Sequence, residues 1–145
     1  MRVKGGAYGC MSNFTQSGLS YFVSYRDPNL EKTVAVYEKA PAYLQEFAAD
    51  DEVMTKYVIG AISEKDTPLP PSAEGGRSFG AYMSGYTFEE EQKERDEILA
   101  CQVADIHVLS AYVAAMLETD AFCVVGNEDK IKEQADSFLG VETLV

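Results

Sequence analysis

The sequence predicts a small α+β domain in which a mainly antiparallel sheet packs against helices. Three observations carry this. Two short runs near the start, Ala7 to Phe14 and Leu19 to Tyr25, are rich in aromatic and β-branched residues and are separated by a polar turn. Apolar residues at helical spacing dominate most of the chain beyond Asp27. No internal repeat or low-complexity tract interrupts the chain, and 145 residues suit one domain with a core of its own, so residues 1–145 are expected to form a single α+β unit.

The first eight residues after Met1 are Arg2-Val3-Lys4-Gly5-Gly6-Ala7-Tyr8-Gly9, a strand-like run thinned by glycine. Glycine weakens a strand, so Gly5-Gly6 calls for a reason, and close approach of a ligand or another backbone is one. Thr15-Gln16-Ser17-Gly18 reads as the turn of a hairpin. In the second strand Leu19, Tyr21, Val23 and Tyr25 alternate with Ser20, Phe22 and Ser24, and the first, more apolar set is expected to face the core.

Asp27-Pro28 supplies an N-cap and a proline at the first helical position. Leu30, Val34, Tyr37, Leu44 and Phe47 then share a helical face, with a break expected near Ala40 because Pro41 cannot join the ladder. Asp51 to Ser63 forms the next helix, carrying Val53, Met54, Tyr57, Val58, Ala61 and Ile62 as its stripe. The breaker-dense stretch from Asp66 to Arg77 reads as a surface loop, and Ser78 to Tyr86 is ambiguous, with Tyr82 and Tyr86 at helical spacing. Thr87-Phe88-Glu89-Glu90 has the form of a capping box opening the longest helix, which a break between Cys101 and Asp105 divides in two. Ala121 to Val125 reads as a buried strand in which Cys123 is a small hydrophobe, Gly126-Asn127 as a turn, and Glu128 to Phe138 as a closing helix.

Composition narrows the function classes. With 24 acidic against 12 basic residues the formal net charge is -12, which repels phosphate backbones and anionic lipid surfaces, so neither nucleic acid nor membrane is an expected partner. Three cysteines without short paired spacing speak against a disulfide framework, no apolar stretch approaches the ~20 residues of a membrane span, and the N-terminus shows no signal-peptide run. A soluble, cytoplasmic protein is the expectation. A hydrolytic zinc site needs about three protein ligands, whereas His107 is the chain's one histidine, so no metal site or catalytic residue is expected within these residues. The glycine run lacks the lysine-serine ending of a phosphate loop, and Cys10 with a distant His107 does not make a thiol enzyme. Arg2 and Tyr8 remain, a permanent cation with planar donors and a phenol, both able to hydrogen-bond a carbonyl oxygen.

The blocks Arg2 to Gly9, Tyr21 to Leu30 (Tyr-Phe-Val-Ser-Tyr-Arg-Asp-Pro-Asn-Leu), Gly85-Tyr86-Thr87 with Gln92 to Leu99, and Val124-Val125-Gly126-Asn127 together resemble the C-terminal part of the presequence-protease branch of the insulinase-like zinc metallopeptidases. That resemblance implies a clamshell enzyme of two halves, each of two related α+β domains, with this chain the later part of the fourth. It further implies that zinc is bound by the N-terminal catalytic half, the partner this chain closes against, and that the substrate is a peptide. Arg2, Tyr8, Gly5 and Gly6 are then the substrate-binding residues. With Met1 set directly against the glycine motif, the chain reads as a piece of a larger protein. The isolated chain is expected to be inactive, and its unpaired sheet edge to favour a homodimer. The alternatives are a stand-alone, non-catalytic peptide-binding or assembly module of the same fold, and a small-molecule-binding domain using Tyr82 and Tyr86.

Overall fold

The structure, a computed structural model, describes residues 2–15 and 17–143, with the side chain of Arg2 outside the described part. Its elements run in the order α1 (Arg2–Gly5), β1 (Gly9–Phe14), β2 (Ser20–Tyr25), α2 (Leu30–Tyr37), α3 (Ala40–Gln45), α4 (Asp51–Lys65), α5 (Pro71–Ser84), α6 (Phe88–Ala100), α7 (Val103–Glu118) and α8 (Glu128–Lys132), then a short 3-10 turn at Ala135–Ser137. The α+β class holds: the sheet is a two-stranded antiparallel hairpin and the rest is mostly helix. Contacts divide the chain into two units, one running to Glu38 and resuming at Tyr112, the other Lys39–Ala111.

In the first unit β1 and β2 pair in the register Gly9↔Tyr25, Met11↔Val23 and Asn13↔Tyr21, with Ser12↔Phe22 on the opposite face. Thr15 N–H donates to the Leu19 carbonyl and Gly18 N–H to that of Thr15, closing the turn with Gly18 at φ 86°. Gln16, in the predicted turn, lies outside the described residues.

The strand faces are reversed from the expected sense. Phe22 is the half-buried residue and stacks on Tyr37 of α2 with ring centroids 4.9 Å apart, while Tyr21, Val23 and Tyr25 stand 42%, 37% and 51% exposed. The helix after the hairpin settles on the Phe22 face, so the more apolar face is left open. Around Tyr37, burial together with the nearby Cys10 thiol at 3.9 Å pushes the phenol pKa up to about 12.

Two further expectations change in this unit. The run before Gly9 is not strand: Arg2–Gly5 makes one helical turn, because the ladder to β2 ends with Tyr8 N–H on the Tyr25 carbonyl and the chain then turns away. Ala121 to Val125 is irregular and Cys123 is exposed rather than buried, since among the described residues the only sheet is the hairpin and the run has no strand to join. Phe122 instead stacks on Phe138 at 5.5 Å. The closing helix is shorter than expected, beginning where the Asn127 side chain accepts the N–H of Lys130.

In the second unit Pro41 sits in the first turn of α3, and the break after α2 falls where proline required it. The capping box is present: Thr87 Oγ1 accepts from Glu90 N–H at 3.2 Å and Glu90 Oε2 from Thr87 N–H at 2.7 Å. The stretch expected to be loop through Arg77 is instead the first half of α5. Pro71 starts the helix where no N–H is needed, and the Pro70 carbonyl takes the N–H groups of Ala73 and Glu74. Gly75 and Gly76 are carried inside it at a cost of about 1 kcal/mol each relative to alanine, and Gly85 at φ 74° ends it. Helices α4 and α6 pack together through Lys65–Glu94 at 2.6 Å and an Arg95–Asp66 pair. His107 Nε2 donates to the Phe47 carbonyl at 2.7 Å and Ser110 to that of Pro41 at 2.8 Å, fixing the start of α7. No single described helix is long and apolar enough to cross a membrane.

The core is thin. Ala7, Met54 and Val113 are the buried apolar residues among those described. Large apolar side chains stand exposed, including Met11, Tyr21, Val23 and Tyr25 on one face of the hairpin. If α2 covers the Phe22 face alone, Phe22→Ala destabilises the chain by about 2 kcal/mol and Tyr21→Ala by no more than about 0.5 kcal/mol, read from urea unfolding.

Candidate functional site

The expected site residues Arg2, Gly5, Gly6 and Tyr8 fall at the N-terminal end of the first unit, where the chain enters β1. Gly6 adopts φ 80°, a left-handed conformation that disfavours any side chain, and a Cβ there would meet Cγ of Pro28 at 3.5 Å. The positive φ accounts for this glycine, since a Cβ at 3.5 Å from Pro28 would be in ordinary van der Waals contact. The Gly5 carbonyl accepts from the Asn29 side chain at 2.5 Å, and space lies open where a Gly5 Cβ would project. Ala7 is buried beside them.

The Asp27-Pro28-Asn29 turn is itself braced. Asp27 does not cap the helix at the expected position: α2 starts at Leu30, and the Asp27 carboxylate instead accepts from the N–H of Asn29 at 2.9 Å and the hydroxyl of Thr33 at 2.5 Å. Burial alone would raise the Asp27 pKa, but these hydrogen bonds, with one from Ser24, outweigh it and hold the carboxyl below its ordinary value. Thus the two blocks that carried the resemblance, Arg2 to Gly9 and Tyr21 to Leu30, are joined by direct contacts.

Tyr8 stands at the surface, 67% exposed, with its ring edge-on to Tyr25 at 5.9 Å. The guanidinium of Arg26 lies over both rings, 5.9 Å from the centroid of Tyr8 and 5.4 Å from that of Tyr25. Arg26 takes φ 50°, and a non-glycine residue in that region marks a position whose surroundings dictate its backbone. The sequence motif singles out Arg2 and Tyr8 but not Arg26. The available signal was its place beside Tyr25 and Asp27-Pro28, a pair of aromatic and turn residues that would hold a cation near Tyr8. Tyr82 is largely exposed while the Tyr86 hydroxyl is enclosed beside Lys65 and Glu94, so these two tyrosines do not converge on one pocket.

Comparison with known proteins identifies this arrangement. A family profile described as the PreP C-terminal domain matches residues 1–126. The chain belongs to the presequence-protease C-terminal domain family. Its sequence is 43% identical to Protein HypA of Clostridium perfringens over 145 residues, all of this chain and 15% of that protein. It is 41% identical to Presequence protease 1, chloroplastic/mitochondrial, of Arabidopsis thaliana over 72% of the chain and 10% of that protein. Against the mitochondrial presequence protease of Aspergillus fumigatus the identity is 30% over 94% of the chain and 12% of that protein. The chain thus spans about a seventh or less of the length of these relatives.

The metal-ligating side chains of the described residues are scattered. Among those described, no three His, Cys, Asp or Glu side chains are grouped to hold a metal, and His107 is turned to the Phe47 carbonyl. The site offers a hydrogen-bonding phenol at the surface, an adjacent guanidinium, and an open glycine backbone.

Two measurements check the local geometry. Gly6→Ala costs about 1–2 kcal/mol of stability, since alanine is strained at positive φ. For Asp27 the folded pKa is depressed, so its stabilising contribution is present above the unfolded pKa near 3.8 and lost as pH falls through the lower folded value. Urea midpoints taken from pH 6 to pH 2 should therefore drop less in Asp27→Asn than in the parent.

Proposed function

We propose that the chain is the C-terminal, substrate-clamping segment of an insulinase-like zinc metalloendopeptidase that degrades peptides. In this reading it is the later part of the fourth domain of a clamshell, the zinc is bound by an N-terminal catalytic half outside these residues, and the chain itself does not bind metal. The supporting observation is the joined N-terminal motif: a family-matching Arg2 to Gly9 segment locked to the Arg26–Asn29 turn, with the Tyr8 phenol turned outward. The uncovered apolar face of the hairpin fits the same reading, as surface that the rest of a longer polypeptide closes over.

Tyr8 and Arg2 would donate to carbonyl oxygens of a bound peptide near the point of cleavage. Donors fixed in advance are worth most where water has been expelled and charge develops on oxygen, which requires the chamber to be shut. Gly5, with free space beside its backbone, would let the peptide lie close, and Gly6 would act through the turn that aims Tyr8. Arg26 would add positive charge beside the Tyr8 ring, on the side where a peptide carbonyl approaches.

The test pairs this chain with its zinc-bearing N-terminal half and follows cleavage of an unstructured peptide. Arg2→Ala and Tyr8→Phe are each expected to lower kcat by about 10²-fold, the scale of losing one oxyanion donor, with folding unchanged by circular dichroism. Full turnover in both variants would remove the clamp assignment. Cleavage by the 145-residue chain alone would show that the chemistry had been assigned to the wrong half. A homodimer through the hairpin edges belongs to the same reading of the isolated chain, because each strand is paired on one side only among the described residues; sedimentation that stays monomeric at high concentration would count against it.

A further inference from the structure

The second unit contains a cavity of about 590 Å³, walled by the end of α4, the connection after it, the start of α5 and one side of α6. That volume falls within the ~300–1,000 Å³ of small-molecule sites. Its charges are sorted. Of three cations on the wall, Lys65 is paired with Glu94 and Arg95 with Asp66. Arg77, the third, has no ion-pair partner among the described residues. Glu74 and Glu91 line the same space and are likewise unpaired there, and Phe88 presents a largely exposed ring.

Each simple ligand class meets an opposing charge. A dianion drawn to Arg77 is repelled by Glu74 and Glu91, and a cation drawn to the two carboxylates is repelled by Arg77. A molecule with a carboxylate at one end, an ammonium at the other and an apolar side chain between satisfies all of them. We infer that this cavity binds short zwitterionic peptides, the C-terminal carboxylate on Arg77, the ammonium toward Glu74 and Glu91, and an apolar side chain against Phe88. The planar guanidinium suits a carboxylate through two parallel hydrogen bonds. The site lies wholly in the second unit and owes nothing to Arg2 and Tyr8.

The experiment titrates the isotopically labelled 145-residue chain with the tripeptide alanyl-phenylalanyl-alanine and, separately, with its C-terminal amide, following backbone amide resonances by NMR. The expected result is saturable shifts at Arg77, Phe88 and Glu91, with the free acid binding about tenfold more tightly than the amide. Arg77→Gln, which keeps a helix-forming side chain, should bring the acid to the affinity of the amide while leaving the amide unchanged. The inference is overturned by an absence of saturable shifts at millimolar peptide, by equal affinity of acid and amide for the parent chain, or by an equal loss for both peptides in the variant.

Discussion

Apolar surface that these residues do not cover is the constraint on which the remaining features depend. A hairpin can be buried on one face or on both, and here both faces carry large side chains: Phe14 and Phe22 on one, Met11, Tyr21, Val23 and Tyr25 on the other. Among the described residues the first receives α2, through the Phe22–Tyr37 stack, while the second stays exposed. Burying apolar area is worth about 25 cal/mol per Å², so an open face of this composition is stabilising only when something closes over it. The relatives named above are more than six times as long as this chain, and in the proposed reading it is the rest of such a polypeptide that closes over the face.

The same constraint gives the N-terminal motif its character. Far from being a free strand end, it is tied down by three contacts made with the end of β2 and the turn after it: Asn29 to the Gly5 carbonyl, Pro28 against Gly6, and Tyr8 N–H to the Tyr25 carbonyl. Those contacts fix the backbone and leave the Tyr8 ring outside, flanked by Tyr25 and Arg26. A phenol held by its backbone and exposed at its tip is the arrangement a recognition residue needs. Order here comes from the protein's own turn.

How far the sequence could be read depended on whether the deciding partner was local. The hairpin, the break at Pro41, the capping box of Thr87 and Glu90 and the division after Ala100 all rest on residues within a few positions of one another, and each is present. The inward face of β2 depended on where α2 would settle, and alternation alone could not say. Ala121 to Val125 has strand composition but no strand to pair with among the described residues, so its pattern was misleading. For α5 the breakers were real, yet Pro70 and Pro71 act as a helix start and the two glycines are tolerated behind them. Arg2 and Tyr8 were singled out through the family motif, the Arg2 side chain lying outside the described part, whereas the place of Arg26 over Tyr8 became visible only in the folded turn after β2.

Oxidative footprinting of Tyr21 and Tyr25 is the most direct test, because it reads whether those side chains are covered. The comparison is between the 145-residue chain alone and the same residues carried in a full-length polypeptide of the family. Both tyrosines are expected to react readily in the isolated chain and to be protected several-fold when the remainder is present, a change larger than backbone fluctuation of a stable hairpin produces. Equal reactivity in the two settings would contradict a face built to be closed over by the rest of the polypeptide.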